Sequence, residues 1–201
     1  MITTLTGSNN FLLQQELQRL IGDFVAKYTD FGLEKYDGEE LEVDVLLSGV
    51  SALPFLAERR MVVVRDGWAN KDLAEQIEKI INNVADTTDL IIVEPHPDKR
   101  SSYYKTLKKL TDFREFNSLE RASLPKWLSQ EAKNNGGELS FSDANYLVER
   151  VGDNQMQLSN ELDKLLSYSP QISREGIDLL TEKAPQSTIF ELLDAAFHRY
   201  R

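Results

Sequence analysis

The chain has no cysteine and only two histidines, His96 and His198. The first absence excludes disulfide scaffolds, zinc ribbons, thiol catalysis and cysteine-ligated iron–sulfur clusters. The second leaves too little imidazole for a histidine metal centre, so no metal and no cofactor are expected. Long apolar runs are also missing, since none approaches the ~18–20 residues that cross a bilayer. The opening MITTLTGSNN has neither a basic region nor an apolar signal segment. A cytoplasmic protein with no membrane partner is expected. Excess positive charge is lacking too: 23 Lys and Arg stand against 33 Asp and Glu, a formal net charge of −10. Such a chain is a poor general binder of phosphate backbone, so any contact with DNA is expected to be indirect, weak or confined to a local basic surface. What remains is ample. With 201 residues, 41% hydrophobic and 28% charged, the chain can build an α/β domain and a small second one, and global disorder is excluded.

Periodicity supplies the elements. Ile2 to Leu5 is short, β-branched and stopped by Gly7, which reads as a buried strand. Ser8, Asn9 and Asn10 suit a helix N-cap, and Leu13, Leu17, Leu20, Ile21 and Phe24 then fall on one helical face. Strands are expected at Leu33–Tyr36, Met61–Val64, Leu90–Val93 and Phe113–Phe116, alternating with helices over Val43–Val50, after Asn70, over Ser101–Leu110 and after Ser123. That alternation argues for a parallel sheet with right-handed crossovers. It ends near Asn134-Asn135-Gly136-Gly137, which reads as a boundary between residues 1–136 and 137–201. Beyond it only helices are expected: one capped by Ser142, one carrying Leu158, Leu162, Leu165 and Leu166, one after Ser173, and a fourth opening with the Thr188/Glu191 capping box and carrying Ile189, Leu192, Leu193, Ala196 and Phe197.

Strand, glycine, turn, helix is the order of a phosphate loop, G-x-x-x-x-G-K-[ST], in which amides cradle phosphate, lysine neutralises it and a hydroxyl holds Mg²⁺. Gly7 fills the first position, but the Gly, Lys and Ser/Thr slots fall on Leu12, Leu13 and Gln14. A leucine cannot screen a triphosphate. The strand ending Ile92-Val93-Glu94-Pro95 offers one carboxylate where an NTPase places an acidic pair. Glu94 then reads as a solvated strand end in preference to a catalytic base. Gly7, Ser8, Asn9 and Asn10 thus form a degenerate phosphate loop, not expected to bind ATP, and no catalytic residue is assigned. Weak nucleotide binding through these four residues, in an enzyme derived from the same fold, is the alternative.

Four segments in register, LTGSNNFLLQQEL, SALPFLAERRMVVVRD, DLIIVEPHPDKRSSYYKTLKK and YLVERVGDNQMQLSNELDKL, resemble the delta subunit of the bacterial DNA polymerase III clamp loader. The resemblance runs the length of the chain, although no single segment is as specific as an intact phosphate loop. It implies a degenerate AAA+ domain (P-loop NTPase-like, α/β, parallel sheet) followed by a small helical lid domain, with no ATPase activity. It also implies a third, helical collar domain, about where the present sequence stops at Phe197-His198-Arg199-Tyr200-Arg201, so the sequence is expected to be a fragment of a longer chain. The implied partners are the beta sliding clamp and, for the full-length protein, the tau/gamma and delta prime subunits of the loader. The implied action is mechanical: a wedge favours a clamp conformation that cannot close.

The resemblance also picks out a clamp-binding element in Leu53-Pro54-Phe55-Leu56-Ala57-Glu58-Arg59-Arg60. Phe55 and Leu56 are the implied apolar anchors, with Pro54 fixing their entry angle and Glu58, Arg59 and Arg60 as a polar rim. Without the resemblance, such a run before a buried strand reads as core packing, and Leu53 is assigned to the core in either case. A local basic cluster, Lys99, Arg100, Lys105, Lys108, Lys109 and Arg114, is interleaved with Tyr103 and Tyr104, of which one is expected to pack inward. It is a candidate contact for DNA or a partner, or a solvated face. Trp68 is read as a capping hydrophobe, and His96 in Pro95-His96-Pro97 has no partner for general-base work. A helical scaffold that binds partners through its C-terminal bundle is a third reading.

Overall fold

The computed structural model describes residues 1–54 and 57–183. The chain divides into two compact units, Met1–Ser118 and Leu119–Arg201. The first is built on five parallel strands, β1 (Ile2–Thr6), β2 (Leu33–Asp37), β3 (Arg60–Arg65), β4 (Thr88–Glu94) and β5 (Asp112–Glu115), in the order β2-β3-β4-β1-β5. Four helices connect them: α1 (Asn10–Tyr28), α2 (Val43–Ser51), α3 (Lys71–Asn82) and α4 (Ser102–Leu110).

The continuous β-branched runs are explained by burial on both faces. Along β3 and β4 alternate side chains point opposite ways. Met61, Val63, Ile91 and Val93, with Leu5, meet the Leu13, Leu17, Leu20, Ile21 and Phe24 stripe of α1. Val62, Val64, Leu90 and Ile92 meet α2, α3 and α4 through Leu46, Val50, Leu73, Ile77, Ile80 and Leu107. The chain leaves β1 for the far edge of the sheet and then works back. Right-handed crossovers therefore put α1 on one face and α2–α4 on the other. The neighbouring strands β1 and β4 consequently send their exit loops to opposite faces, which places the ligand crevice of an open α/β sheet at their carboxyl ends. Asn9, Asn70 and Ser101 cap α1, α3 and α4, each side chain accepting from a backbone amide three residues on.

In the second unit α5 (Leu124–Asn134), α6 (Phe141–Val151), α7 (Gln155–Tyr168) and α8 (Arg174–Leu180) pack around Leu128, Ala132, Leu147, Leu158, Leu162 and Ile177. Four features differ from the sequence reading. The division falls after Ser118, and α5, expected in the first domain, shares the second unit's core through Leu124, Leu128 and Ala132. The glycine pair is interior to that unit: a β-carbon on Gly137 would lie 2.2 Å from Leu166 Cδ2 and 2.7 Å from the Pro170 carbonyl oxygen. The unit is not purely helical, because two-residue strands β6 (Glu138–Leu139) and β7 (Gln171–Ile172) pair in parallel. The cap of α6 is Ser140, which accepts from the Asp143 amide at 3.1 Å, and not Ser142. The fourth expected helix, from Thr188 to Phe197, lies outside the described residues.

Candidate functional site

Residues 52–59 join α2 to β3 at the amino ends of the strands. The base of this loop is fixed on both sides. The Val50 carbonyl accepts from the Ala85 amide at 3.0 Å, and the Arg60 amide donates to the Thr87 carbonyl at 3.0 Å. Arg60 also donates to the Gly49 carbonyl at 2.7 Å, with its Nε 3.5 Å from a Glu34 carboxylate oxygen. Arg59 pairs with Asp89 at 2.9 Å, and its guanidinium stands over the Tyr28 ring. Burial pushes the Asp89 carboxyl up, but hydrogen bonds from the Met1 amino group and Arg59 outweigh it and hold the group below its ordinary value. The hydrogen bond to Asp89 raises Arg59 in turn.

Leu53 stands on this loop with 76% of its surface exposed, so its assignment to the core is corrected. The reason is local. Helix α2 stops at Ser51, and the face that buries Val43, Leu46 and Val50 does not continue into the extended chain before Pro54. Pro54, Arg59 and Arg60 are half-buried and Glu58 is exposed. The implied anchors Phe55 and Leu56 lie outside the described residues.

At the opposite, carboxyl ends of the strands sits the phosphate-loop position. Only Gly7, Ser8 and Asn9 separate β1 from α1, so Leu12, Leu13 and Gln14 lie within the helix, and Leu13 is fully buried. The segment leaving β5 is laced onto this turn. Phe116 donates its amide to the Thr6 carbonyl at 2.7 Å, and its own carbonyl accepts from the Asn9 amide at 3.0 Å. The Ser8 and Ser118 hydroxyls are 3.1 Å apart. Gly7 has φ +119°, and a β-carbon there would stand 2.0 Å from the Phe116 carbonyl oxygen. One amide that a working loop would turn toward phosphate is thus engaged by the protein itself.

Glu94 corrects the expectation of a solvated strand end, for it is fully buried. It shares the strand face of Leu90 and Ile92, directed at α4. Its Oε1 accepts from the Tyr103 hydroxyl and, at 3.2 Å, from the Trp68 amide, while Oε2 has no hydrogen-bond partner. Burial raises the carboxyl to about 7, against the Tyr103 hydrogen bond and with help from the nearby Asp66 charge. Burial likewise raises the Tyr103 hydroxyl. Nothing in the spacing of Glu94, Trp68 and Tyr103 signals this cluster, which only the crossovers assemble. Trp68 is itself 42% exposed.

The basic cluster is partly neutralised. Lys99 pairs with Glu115 at 2.6 Å, Arg100 with Asp98 at 3.5 Å, and Arg114 with Glu16 and Asp112. Lys105, Lys108 and Lys109 are exposed along α4. Tyr103 and Tyr104 are both buried, one more than expected, and so are withdrawn from base stacking. His96 is exposed on the turn after β4. Among the described residues no group of carboxylates and imidazoles could hold a metal ion, and no helix is long and apolar enough to cross a membrane.

A parallel sheet that opens in phosphate-loop order, with core leucines in the loop's cation positions, followed along the chain by a small, mainly helical unit, defines a module of the open α/β class with a degenerate phosphate loop. More narrowly, the chain belongs to the family "DNA polymerase III, delta subunit", whose model matches residues 4–117. It is 26% identical over 212 residues to DNA polymerase III subunit delta of Bacillus subtilis (strain 168), covering 98% of this chain and 61% of that one. It is 25% identical over 176 residues to the probable DNA polymerase III subunit delta of Aquifex aeolicus (strain VF5), covering 80% and 50%. The fold is also similar to the solved structure of the Bacillus subtilis DNA clamp loader delta protein YqeN, with a TM-score of 0.80 at 23% identity, covering 100% of this chain and 63% of that one. The chain therefore spans about three fifths of the length of these Bacillus relatives. The family read from four sequence segments is the family found.

Proposed function

We propose that this chain is the part of a clamp-loader delta subunit that grips a sliding clamp, through Phe55 and Leu56, and helps to hold the ring open for loading onto DNA. The observation that carries this reading is the loop of residues 52–59: its ends are pinned by Val50, Arg59 and Arg60, and it carries an apolar Leu-Pro-Phe-Leu stretch whose first residue faces water. A short apolar anchor on a fixed base enters a preformed pocket with little entropy left to lose. Phe55 and Leu56 together can bury roughly 200–300 Å², which at about 25 cal/mol/Å² is a gross ~5–8 kcal/mol before association costs. Pro54 sets the entry direction, and Glu58 keeps the tip solvated. The work done on the ring is differential binding: tighter contact with the open form shifts the population toward opening. That needs no covalent chemistry, in keeping with a phosphate turn whose amide is engaged by Phe116, and we assign the chain no ATPase activity. The tau/gamma and delta prime subunits are the further partners of the longer protein.

Binding of the cognate sliding clamp to this chain, measured by titration, tests the proposal. Phe55→Ala and Leu56→Ala should each weaken binding by roughly tenfold or more. Leu179→Ala, at an equally exposed apolar position in the second unit, should leave it unchanged. Undiminished binding by the double variant Phe55→Ala/Leu56→Ala would overturn the assignment.

A further inference from the structure

Two side chains do not make a protein interface. A stable one covers about 800 Å² on each partner, several times what Phe55 and Leu56 can supply. If the loop of residues 52–59 docks as proposed above, the partner must also cover surface joined to the loop's base.

That surface is identifiable. The 3₁₀ turn Asp30–Gly32 lies between α1 and β2, and its Gly32 is buried beneath the loop: a β-carbon there would fall 2.4 Å from the Arg59 carbonyl oxygen and 3.3 Å from the Ala57 β-carbon. Tyr28, one turn earlier, lies under the Arg59 guanidinium and packs at a tilt against the Phe24 ring. Turn and loop base therefore form one packed piece. On it Phe31 presents 77% of its surface to water, slightly more even than Leu53. An aromatic ring that exposed adds little to the core, so packing does not account for it.

The backbone adds an independent sign. Thr29 ends α1 with φ 75° and ψ 168°, a region rarely entered by any residue but glycine and least suited to a β-branched one. Strain of this kind persists only where the surroundings fix it. Here the Thr29 amide still donates to the Val25 carbonyl at 3.0 Å, so the chain reverses at once and the next turn places Phe31 outward.

We propose that Phe31 is a second apolar contact of the clamp-docking surface, seated on the same ring-shaped partner as Phe55 and Leu56, with the exposed acids Asp30 and Glu58 at its margin. The inference rests on the clamp-binding reading and extends it from a loop tip to a two-point surface at the amino ends of the strands.

The test is equilibrium binding of the cognate sliding clamp to the full chain carrying Phe31→Ala or Phe31→Trp, beside Leu56→Ala. Phe31→Ala should weaken binding roughly tenfold with an unchanged thermal unfolding midpoint, and Phe31→Trp should keep most of the affinity. The amides of residues 30–33 should gain hydrogen-exchange protection when the clamp is added. Wild-type affinity in Phe31→Ala, together with loss in Leu56→Ala, would refute the second contact and leave the clamp reading standing. Failure of the wild-type chain to bind the clamp would sink both. Self-association abolished by Phe31→Ala, with clamp affinity untouched, would give this ring to a second copy of the chain and overturn the proposal.

Discussion

A carboxyl group on the last residue of a strand is ordinarily read as wet, and Glu94 shows why that reading depends on what crosses over it. The helix after β4 brings Tyr103 onto the same strand face, and the turn after β3 brings the Trp68 amide. No local spacing reports either approach. Burial lifts the Glu94 carboxyl to about 7, whereas in the unfolded chain it titrates near its ordinary value of 4.5. Between those two values the folded protein holds a proton that the unfolded chain has released. Stability should therefore fall as pH rises from 4.5 to 7 and level off above, by about 3 kcal/mol in all. Glu94→Gln should flatten that slope and be the more stable protein at pH 8, as denaturant titrations at a series of pH values would show. A wild-type profile indifferent to pH across this window would contradict the assignment. Leu53 teaches the converse. As a leucine beside a buried strand it reads as core, but it follows the end of α2 by two residues and is left in water.

Among the elements, segments long enough to show a pattern were legible and the two-residue strands were not. The runs Met61–Val64 and Leu90–Val93 announce strands buried on both faces, and the α1 and α3 stripes announce helices, because each repeats one burial demand over many residues. β6 and β7 have two residues each and no such repetition. Ser140 and Ser142 are equally good caps by composition, so only backbone geometry separates them. The candidate docking loop was legible through family resemblance, while the part played by the Asp30–Gly32 turn follows from an approach to Arg59 that sequence does not encode locally. The Gly7 turn has a sharp mutational signature. An alanine there would meet the Phe116 carbonyl oxygen at 2.0 Å and sit at φ +119°. Gly7→Ala should cost upward of about 2 kcal/mol, seen as a lowered unfolding midpoint, while Gly136→Ala, with nothing near its β-carbon but an equally positive sense of φ, should cost about 1 kcal/mol. Equal losses at the two sites would mean that strain alone, and not the clasp on Phe116, governs the first.

For the whole molecule, fold class could be read because it rests on element order, which the chain states repeatedly, and the family because four segments resemble it in register. The unit boundary could not, because the Gly pair that looks like a linker lies inside the second unit, with Gly137 packed against Leu166 and Pro170. The engaged phosphate turn makes one global expectation: Mg²⁺-ATP at millimolar concentration should leave the thermal midpoint unmoved, since a ligand stabilises only what it binds. A clear upward shift accompanied by turnover would restore the enzyme reading. All five strands of the sheet run the same way, so Arg59 and Phe31 sit at one pole and Gly7 and Glu94 at the other, a strand length of roughly 20 Å away. The two poles share a scaffold but no side chains. One can be rewritten without disturbing the other, so a change of chemistry at the carboxyl pole would leave a docking surface at the amino pole intact.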